Sequence, residues 1–531
     1  IISSKLDIGN FLDYFDSYCN EKGVPFVIIF DAINECRQTQ LDVLKKLELL
    51  KKYRNIKIII SYRNGDIDKE LFDALSLYPN IRLYGFSDII EAAVKFSEYY
   101  KIDINNILET DFSNNPLILK IFCEEFSEKG TQKGERGYNS ATFIFERYFI
   151  RVGDIISKEL AIKNQKGESV RGISLWNTLA KDIAKKMVQE YRQYLFNFEI
   201  IDIINNMNLN INSNKLLDKL VIHHLLERYN TYVNNERKKV YKFSFQKLSD
   251  FLIIRYILDS KSQFETYEEF FLKDYVIDFL KNNRSLLETL SEHIPIRMNG
   301  KEIYEIYTKE QFYDFLNTYI RSLRYRSDIS FKGDIYQKTK SIIKYIKANK
   351  KEINYDDWLI TIASCSIVDY HPLNCRNYFT PLLSKMSNSN RDIYLYDYLN
   401  CEYVRTRIIS LCKIPYYSNL ELLKRSFKIN LCQLYFWMLG VWDREIRDKA
   451  TKSLTIMLKS DLSIIDDLLD IFVKVNDQYI KERFLSSVFS SHKLNDDKKL
   501  LYNHYKKIRR ILLKNKVSNI RIRYYFMQLQ N

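Results

Sequence analysis

Turn-forming residues are scarce, with 13 Gly and 7 Pro in 531 residues, far below the roughly 7% and 5% of average usage. That scarcity excludes collagen-like and low-complexity chains, argues against a turn-rich all-β fold, and favours long helices. The 8 Cys include no Cys-x-x-Cys pair. Each sits in an apolar or helical setting, which predicts buried, reduced thiols in a reducing compartment and no zinc site. The 6 His are scattered apart from His223-His224, which read as core and surface neighbours on an apolar helix. No Ser/His/Asp or metal-ligand set is visible. No apolar run approaches the roughly 18 residues of a membrane helix, and no leader-peptide pattern opens the chain. A cytoplasmic protein with no membrane partner is expected.

Bulk and charge are abundant. The chain is 46% hydrophobic and 28% charged, with 40 Tyr and 32 Phe, the composition of a globular protein with large cores. Its length suggests three or four domains at about 100–200 residues each. The formal charge is +15. Lys and Arg read as spread along the chain, the pattern of solvated helix faces, with a functional patch as the alternative.

Residues 1–127 alternate between strand and helix patterns. Phe26-Val27-Ile28-Ile29-Phe30 is a short, continuous apolar run, expected as a strand buried on both faces. Leu41, Leu44, Leu47 and Leu50 recur with helical spacing. Ile56 to Ser61 and Ile81 to Phe86 are further strand candidates. Asp88-Ile89-Ile90-Glu91 has the form of a capping box, and Asn115-Pro116 opens a helix over Leu117 to Phe126. A parallel sheet is the natural solution for this α/β alternation. Residues 128–138 read as a linker. Helices are then expected to dominate from Ser140 to about Arg228. Over residues 196–262, helices precede a hairpin pattern, Tyr229 to Val233 and Val240 to Phe245 around Asn234 to Lys238, and an apolar helix Leu248 to Leu258 follows; the order is that of a winged helix.

Residues 263–531 read almost throughout as amphipathic helix. Asp443-Arg444-Glu445-Ile446-Arg447-Asp448 opens one helix, and Asp477-Gln478-Tyr479-Ile480-Lys481-Glu482-Arg483 opens another 34 residues later. Glu402-Tyr403-Val404-Arg405-Thr406-Arg407 is a weaker echo. Such spacing suits stacked helix pairs of the HEAT or TPR kind. Arg447, Asp477 and Arg483 are expected in ion pairs between repeats. Tyr378-Phe379 and Tyr435-Phe436-Trp437 are expected in the core, with a base-stacking platform as the other reading.

The chemistry-bearing residues lie at strand ends. Asp31 follows the first strand and Glu35 comes four residues later. A carboxylate at the carboxyl end of a buried strand sits where α/β folds bind ligands; it can hold Mg²⁺ against nucleotide phosphates, and a second acid can position water. The alternative is that Asp31 and Asn34 only cap a helix. Ser61-Tyr62-Arg63 ends the second strand, where a guanidinium matches phosphate oxygens or is merely a surface group. The phosphate-cradling Gly-x-x-x-x-Gly-Lys-Ser/Thr loop is missing. Gly300-Lys301 is the one Gly-Lys pair, followed by Glu302 and without the partner Gly. Because the chain opens at Ile1, without Met and close to the first strand, loss of its start is the preferred explanation over a dead site.

In this order the chain resembles the STAND NTPases, and within them the prokaryotic antiviral STAND (AVAST) proteins. The resemblance rests on Phe26 to Glu35, Ile58 to Arg63, Asn115 to Glu124 and Phe243-Ser244-Phe245-Gln246-Lys247-Leu248-Ser249-Asp250, and continues in Ile446 to Lys452 and Asn476 to Arg483. It covers nearly the whole chain. It implies an α/β remnant of a P-loop NTPase domain (1–127), a helical domain (128–195), a winged helix (196–262) and a C-terminal α-solenoid sensor (263–531). The implied cofactors are ATP or ADP and Mg²⁺, with ATP over GTP inherited from the family. Asp31 would be the Mg²⁺ partner, Glu35 the acid that assists hydrolysis and Arg63 the sensor of the γ-phosphate, beside Ser61. Pro116 would pack by the adenine. Gln246 stands where many relatives carry a His that contacts the bound diphosphate, a departure from the family pattern. The implied partners are a foreign (phage) protein and further copies of the chain on activation, which would switch on an effector upstream of Ile1. Direct nucleic-acid binding is not expected. A helical scaffold with an inactive nucleotide site and a winged-helix nucleic-acid regulator remain the other readings.

Overall fold

The computed structural model describes residues 8–30, 52–61, 88–102, 116–127, 141–233, 236–259, 267–308, 315–348, 353–495, 497–514 and 519–529, with isolated positions between 75 and 107. It is mostly helical, with two small sheets. The chain divides into two compact units, Ile1–Leu83 with Arg228–Tyr241, and Tyr84–Glu227 with Lys242–Asn531. Among the described residues no helix is long and apolar enough to cross a membrane.

In the first unit, α1 (Ile8–Lys22) precedes two parallel strands, β1 (Phe26–Phe30) and β2 (Ile56–Ile60), paired in register from Phe26↔Ile56 to Phe30↔Ile60. Leu12, Tyr53 and Ile56 form a small core against which Phe11, Phe26, Ile28 and Ile58 pack. The Phe15 and Phe26 rings stack at 4.5 Å, and Asp16 accepts from the Asn55 backbone N–H at 2.8 Å. Alternate side chains of a strand point to opposite faces, and among the described residues only one face of this pair is covered. Val27, Ile29 and Ile59 on the other face are 44%, 66% and 54% exposed. Burial on both faces, expected from the unbroken apolar run, is therefore corrected to one. The expected helix through Leu41–Leu50 and the linker 128–138 lie outside the described residues, as does most of the Ile81–Phe86 strand.

In the second unit, α2 (Ile89–Tyr100) is capped by Asp88, whose carboxylate accepts from the Ile90 and Glu91 N–H groups. The box is only half made, because Glu91 turns to Lys95 at 2.7 Å. Asp88 also pairs with Lys413. Next come α3 (Pro116–Ser127), α4 (Ala141–Glu159) and α5, continuous through Gly172–Leu175, a π-helical turn Trp176–Ala180 and Lys181–Gln189. Arg151 of α4 binds Glu125 at 2.5 Å and Glu124 at 3.2 Å on α3. Strand β3 (Leu195–Phe196) and helices α6 (Asn197–Asn206) and α7 (Ser213–Ile222) follow; of the hairpin β4 (Leu226–Val233) and β5 (Glu236–Phe243), the ends Leu226–Glu227 and Lys242–Phe243 belong to this unit and Arg228–Tyr241 to the first. Helix α8 (Gln246–Asp259) closes this part.

Beyond it runs a row of helices, each packed on the next: α8, α9 (Arg284–Arg297), α10 (Phe315–Ser322), α11 (Tyr355–Cys365), α12 (Glu402–Leu411) and, after α13 (Arg425–Met438), α14 (Arg444–Ser460). Helix α15 (Ile464–Lys474) is followed by α16 (Gln478–Lys493), α17 (Lys498–Lys514) and α18 (Ile520–Gln528). At this end there are two rows. One is α13, α15 and α17; the other is α14, α16 and α18. Such next-but-one packing is what a stack of helix pairs requires. Helix α13 is buried from Phe427 to Met438, Tyr435, Phe436 and Trp437 included, so it is covered on every side.

The 34-residue echo has a structural cause. Asp443 caps α14 through the Glu445 and Ile446 N–H groups, and Asp477 caps α16 through Tyr479 and Ile480. Each capping carboxylate also takes an Arg from an earlier helix, Arg405 on Asp443 at 2.9 Å and Arg391 on Asp477 at 3.2 Å. Arg483 reaches Asp448 at 2.6 Å across the pair. Arg447 departs from its expected ion pair: it donates to the Val441 carbonyl at 3.1 Å and lies 5.5 Å from the Tyr479 ring. The weaker echo at Glu402 begins after Cys401, which provides no side-chain cap. Two of the scattered histidines meet, His492 Nε2 and His504 Nδ1 lying 3.1 Å apart between α16 and α17.

Candidate nucleotide site

The first unit brings two strand ends side by side. The Ser61 N–H donates to the Phe30 carbonyl at 2.9 Å, so the ladder closes where β1 gives way to Asp31 and β2 to Ser61-Tyr62-Arg63. Ser61 is exposed. Asp31, Glu35 and Arg63 lie outside the described residues. Among the described residues, no group of His, Cys, Asp and Glu side chains could hold a metal ion.

Pro116 and Gln246 belong to the second unit. Pro116 is the first residue of α3 and exposed, as its fixed φ and missing N–H favour. Gln246 is the first residue of α8. Helices α3 and α8 both pack on α4. Helix α4 is also tied to its neighbours by Glu146, which accepts from Trp176 Nε1 at 2.9 Å and from Arg255 of α8 at 3.3 Å.

Gln246 is already engaged. Its Nε2 donates to Gln193 Oε1 at 2.9 Å and to Asp250 Oδ1 at 2.8 Å, while Gln193 Nε2 reaches the same Asp250 oxygen at 3.2 Å. A side-chain amide has two N–H donors, and both are used. In this arrangement Gln246 has no donor left for a diphosphate; contact would require it to leave Gln193 or Asp250. Sequence reasoning quoted Gln246 and Asp250 in one segment without assigning Asp250 a role. Their i,i+4 spacing at the start of a helix was the available signal. Nothing local pointed to Gln193, 53 residues away.

Asp250 is buried, and burial pushes its carboxyl up to about 6 against hydrogen bonds from Gln246, Ser285 and Gln193 and the charge of Lys247. The folded state thus holds a proton that the unfolded chain releases at lower pH. This contribution to stability is complete below the ordinary carboxyl range and is lost as pH rises through about 6. Asp250→Asn keeps the shape and removes the titration. It should flatten the stability profile between about pH 4 and 6 and leave the protein about 1–3 kcal/mol more stable than wild type near pH 7.5. Urea unfolding across that window checks this; parallel profiles would show that Asp250 is ionised in the fold.

Further along the α8–α9 contact the polar burial deepens. Glu292 is pushed up to about 7 and His293 down to about 3, both by burial, and Lys247 Nζ lies 4.4 Å from the Tyr325 ring centroid. These groups join α8 to the helical row and were not singled out from sequence. Compared with known proteins, the chain matches no family model and no curated protein.

Proposed function

We propose that the chain acts in a STAND-type, nucleotide-switched signalling NTPase of antiviral defence, with its helical rows as the sensor of a foreign protein. The observation that carries this reading is the register of β1 and β2. Two parallel strands end level with each other, and the next residues in the chain are an Asp and a Ser-x-Arg. Strand carboxyl ends are where α/β sheets bind ligands, and a carboxylate, a second acid and a guanidinium form a donor set suited to Mg²⁺ and nucleotide phosphates.

In this reading the bound Mg²⁺–nucleotide supplies the charge and the hydrolysable phosphate. Asp31 would hold the ion, Glu35 would assist hydrolysis by positioning water, Arg63 would bind the γ-phosphate and Pro116 would pack by the base. Helices α6 and α7 with the β4–β5 hairpin and α8 act as a winged helix that links this domain to the sensor. Foreign protein on the helical rows and nucleotide on the α/β domain bias one bistable hinge. The favoured state self-associates and activates an effector.

The test uses the complete reading frame in a host challenged with phage. Asp31→Ala should abolish the triggered response while the protein accumulates normally. An undiminished response would remove nucleotide switching and leave the helical scaffold as the better account.

A further inference from the structure

The +15 formal charge is not evenly distributed. From Lys498 to Asn531 there are ten Lys and Arg and no Asp or Glu, so the even spread read from the sequence fails at this end. Nine of the ten lie on the helices α17 and α18, and Lys516 lies outside the described residues. Helix α17 buries His504, Ile508 and Leu512, at 1%, 0% and 8% exposure, and this i,i+4,i+8 stripe faces the protein. Tyr505 stacks on Phe526 at 4.9 Å, holding α18 against α17. The opposite side of α17 carries Lys499, Lys506, Arg509, Arg510 and Lys514, all exposed.

Among the described residues, neighbouring acids pair with cations at the margins of this face. Asp466 takes Lys507 at 2.6 Å and Glu482 takes Arg521 at 3.2 Å. Lys506, Arg510 and Lys514 follow one another at i,i+4 spacing, where like charges destabilise a helix by some tenths of a kcal/mol per pair. At about 1.5 Å per residue the row places a cation every ~6 Å along a helix of about 25 Å. Phosphates of one strand of B-DNA recur every ~3.4 Å, so a strand can supply a counter-charge to each member of the row.

We propose that the exposed face of α17 is a docking surface for the phosphate backbone of a nucleic-acid duplex, bound without sequence preference. Charge complementarity carries the choice of a polyanion, and two features favour a duplex. Tyr502, the exposed ring on α17, carries the Lys506 ammonium 4.2 Å from its centroid, so one of the two faces on which a single strand could stack is occupied. A membrane-lying helix needs its own apolar face free, and α17 buries its His504, Ile508 and Leu512 stripe in the protein, with Leu513 the exposed aliphatic side chain at 68%. The short exposed stripe Ile520, Tyr524 and Met527 lies on α18 instead. This inference does not rest on the nucleotide-switch reading, and either can fail without the other.

The experiment is fluorescence anisotropy of the whole chain with a labelled random-sequence DNA duplex of about 30 base pairs, a labelled oligothymidylate single strand, and labelled vesicles containing phosphatidylserine. Duplex binding should weaken with salt at a log–log slope of about −4 to −5, as expected for roughly five phosphate contacts. Lys506→Glu with Arg510→Glu should weaken duplex binding at least ~10-fold and reduce the slope by about 2, with circular dichroism unchanged because both side chains are exposed. Absence of duplex binding at low salt would overturn the proposal. So would an unchanged affinity in the double variant, or tighter binding to the single strand or to the vesicles.

Discussion

Glu302→Ala should destabilise the helical row by about 3–5 kcal/mol, the cost of leaving a buried charge without its partner. Glu302 and Arg326 have side chains with 0% exposure, joined by two hydrogen bonds of 2.8 and 2.7 Å. Arg326 also donates to the Ser291 carbonyl at 2.9 Å, and its guanidinium lies 5.0 Å from the Tyr319 ring. With Glu302 gone, the guanidinium keeps one carbonyl and an aromatic neighbour, far less than the water it gave up. The pair itself need not be net stabilising, because two desolvation penalties offset its attraction. The double replacement Glu302→Leu with Arg326→Met should therefore recover most of the loss. Hydrogen exchange of α9 and α10 under native conditions reads this locally, which suits a chain of two compact units better than one global midpoint. Equal protection in Glu302→Ala and wild type would mean that water reaches Arg326.

Gly172→Ala should be comparably damaging, by about 3 kcal/mol or more, at the upper end of overpacking effects. A Cβ there would lie 1.9 Å from the Ile150 carbonyl oxygen and 2.6 Å from the Asp154 nitrogen. Both are backbone atoms of α4 and cannot rotate away. The Gly172 N–H already donates to Asp154 Oδ1 at 2.6 Å, and a Cβ on Gly153 would come 3.0 Å from Gly172 Cα. The start of α5 thus rests directly on the backbone of α4, and one methyl group must force them apart. Gly167 is the control. It has φ +78° and nothing within 4 Å of its added Cβ, so Gly167→Ala costs only the backbone strain, about 1 kcal/mol. Limited proteolysis between α4 and α5 compares the two variants. Similar resistance in Gly172→Ala and Gly167→Ala would show that the contact relaxes.

Much of the helical architecture was legible because its signals are local. Asp443 and Asp477 were visible as helix openings since a capping carboxylate bonds N–H groups two and three residues on. Tyr435, Phe436 and Trp437 read as core, and α13 buries them. Of the candidate site, the strand end at Ser61 and the helix start at Pro116 were legible, whereas α8 begins at Gln246, two residues before the expected Leu248, and Asp31, Glu35 and Arg63 lie outside the described residues.

Other features depend on residues far apart in the chain. Glu302 and Arg326 look like surface charges in their own segments and become a buried pair only when the helical row closes over them. Asp250 and Gln193 belong to different elements and carry no mark of each other. The apolar run of β1 suits cover on both sides, yet which face is covered depends on where α1 packs.

By itself, then, the sequence determined where helices begin, which residues are apolar enough to form their cores, and that its last stretch is purely cationic, because capping, periodicity and composition act within a few residues. Only the tertiary structure decided which charges are buried, which glycines touch a neighbouring backbone, and that five of the terminal cations share the exposed face of α17. Burial and close approach are properties of surfaces that meet, and residues far apart along the chain form those surfaces.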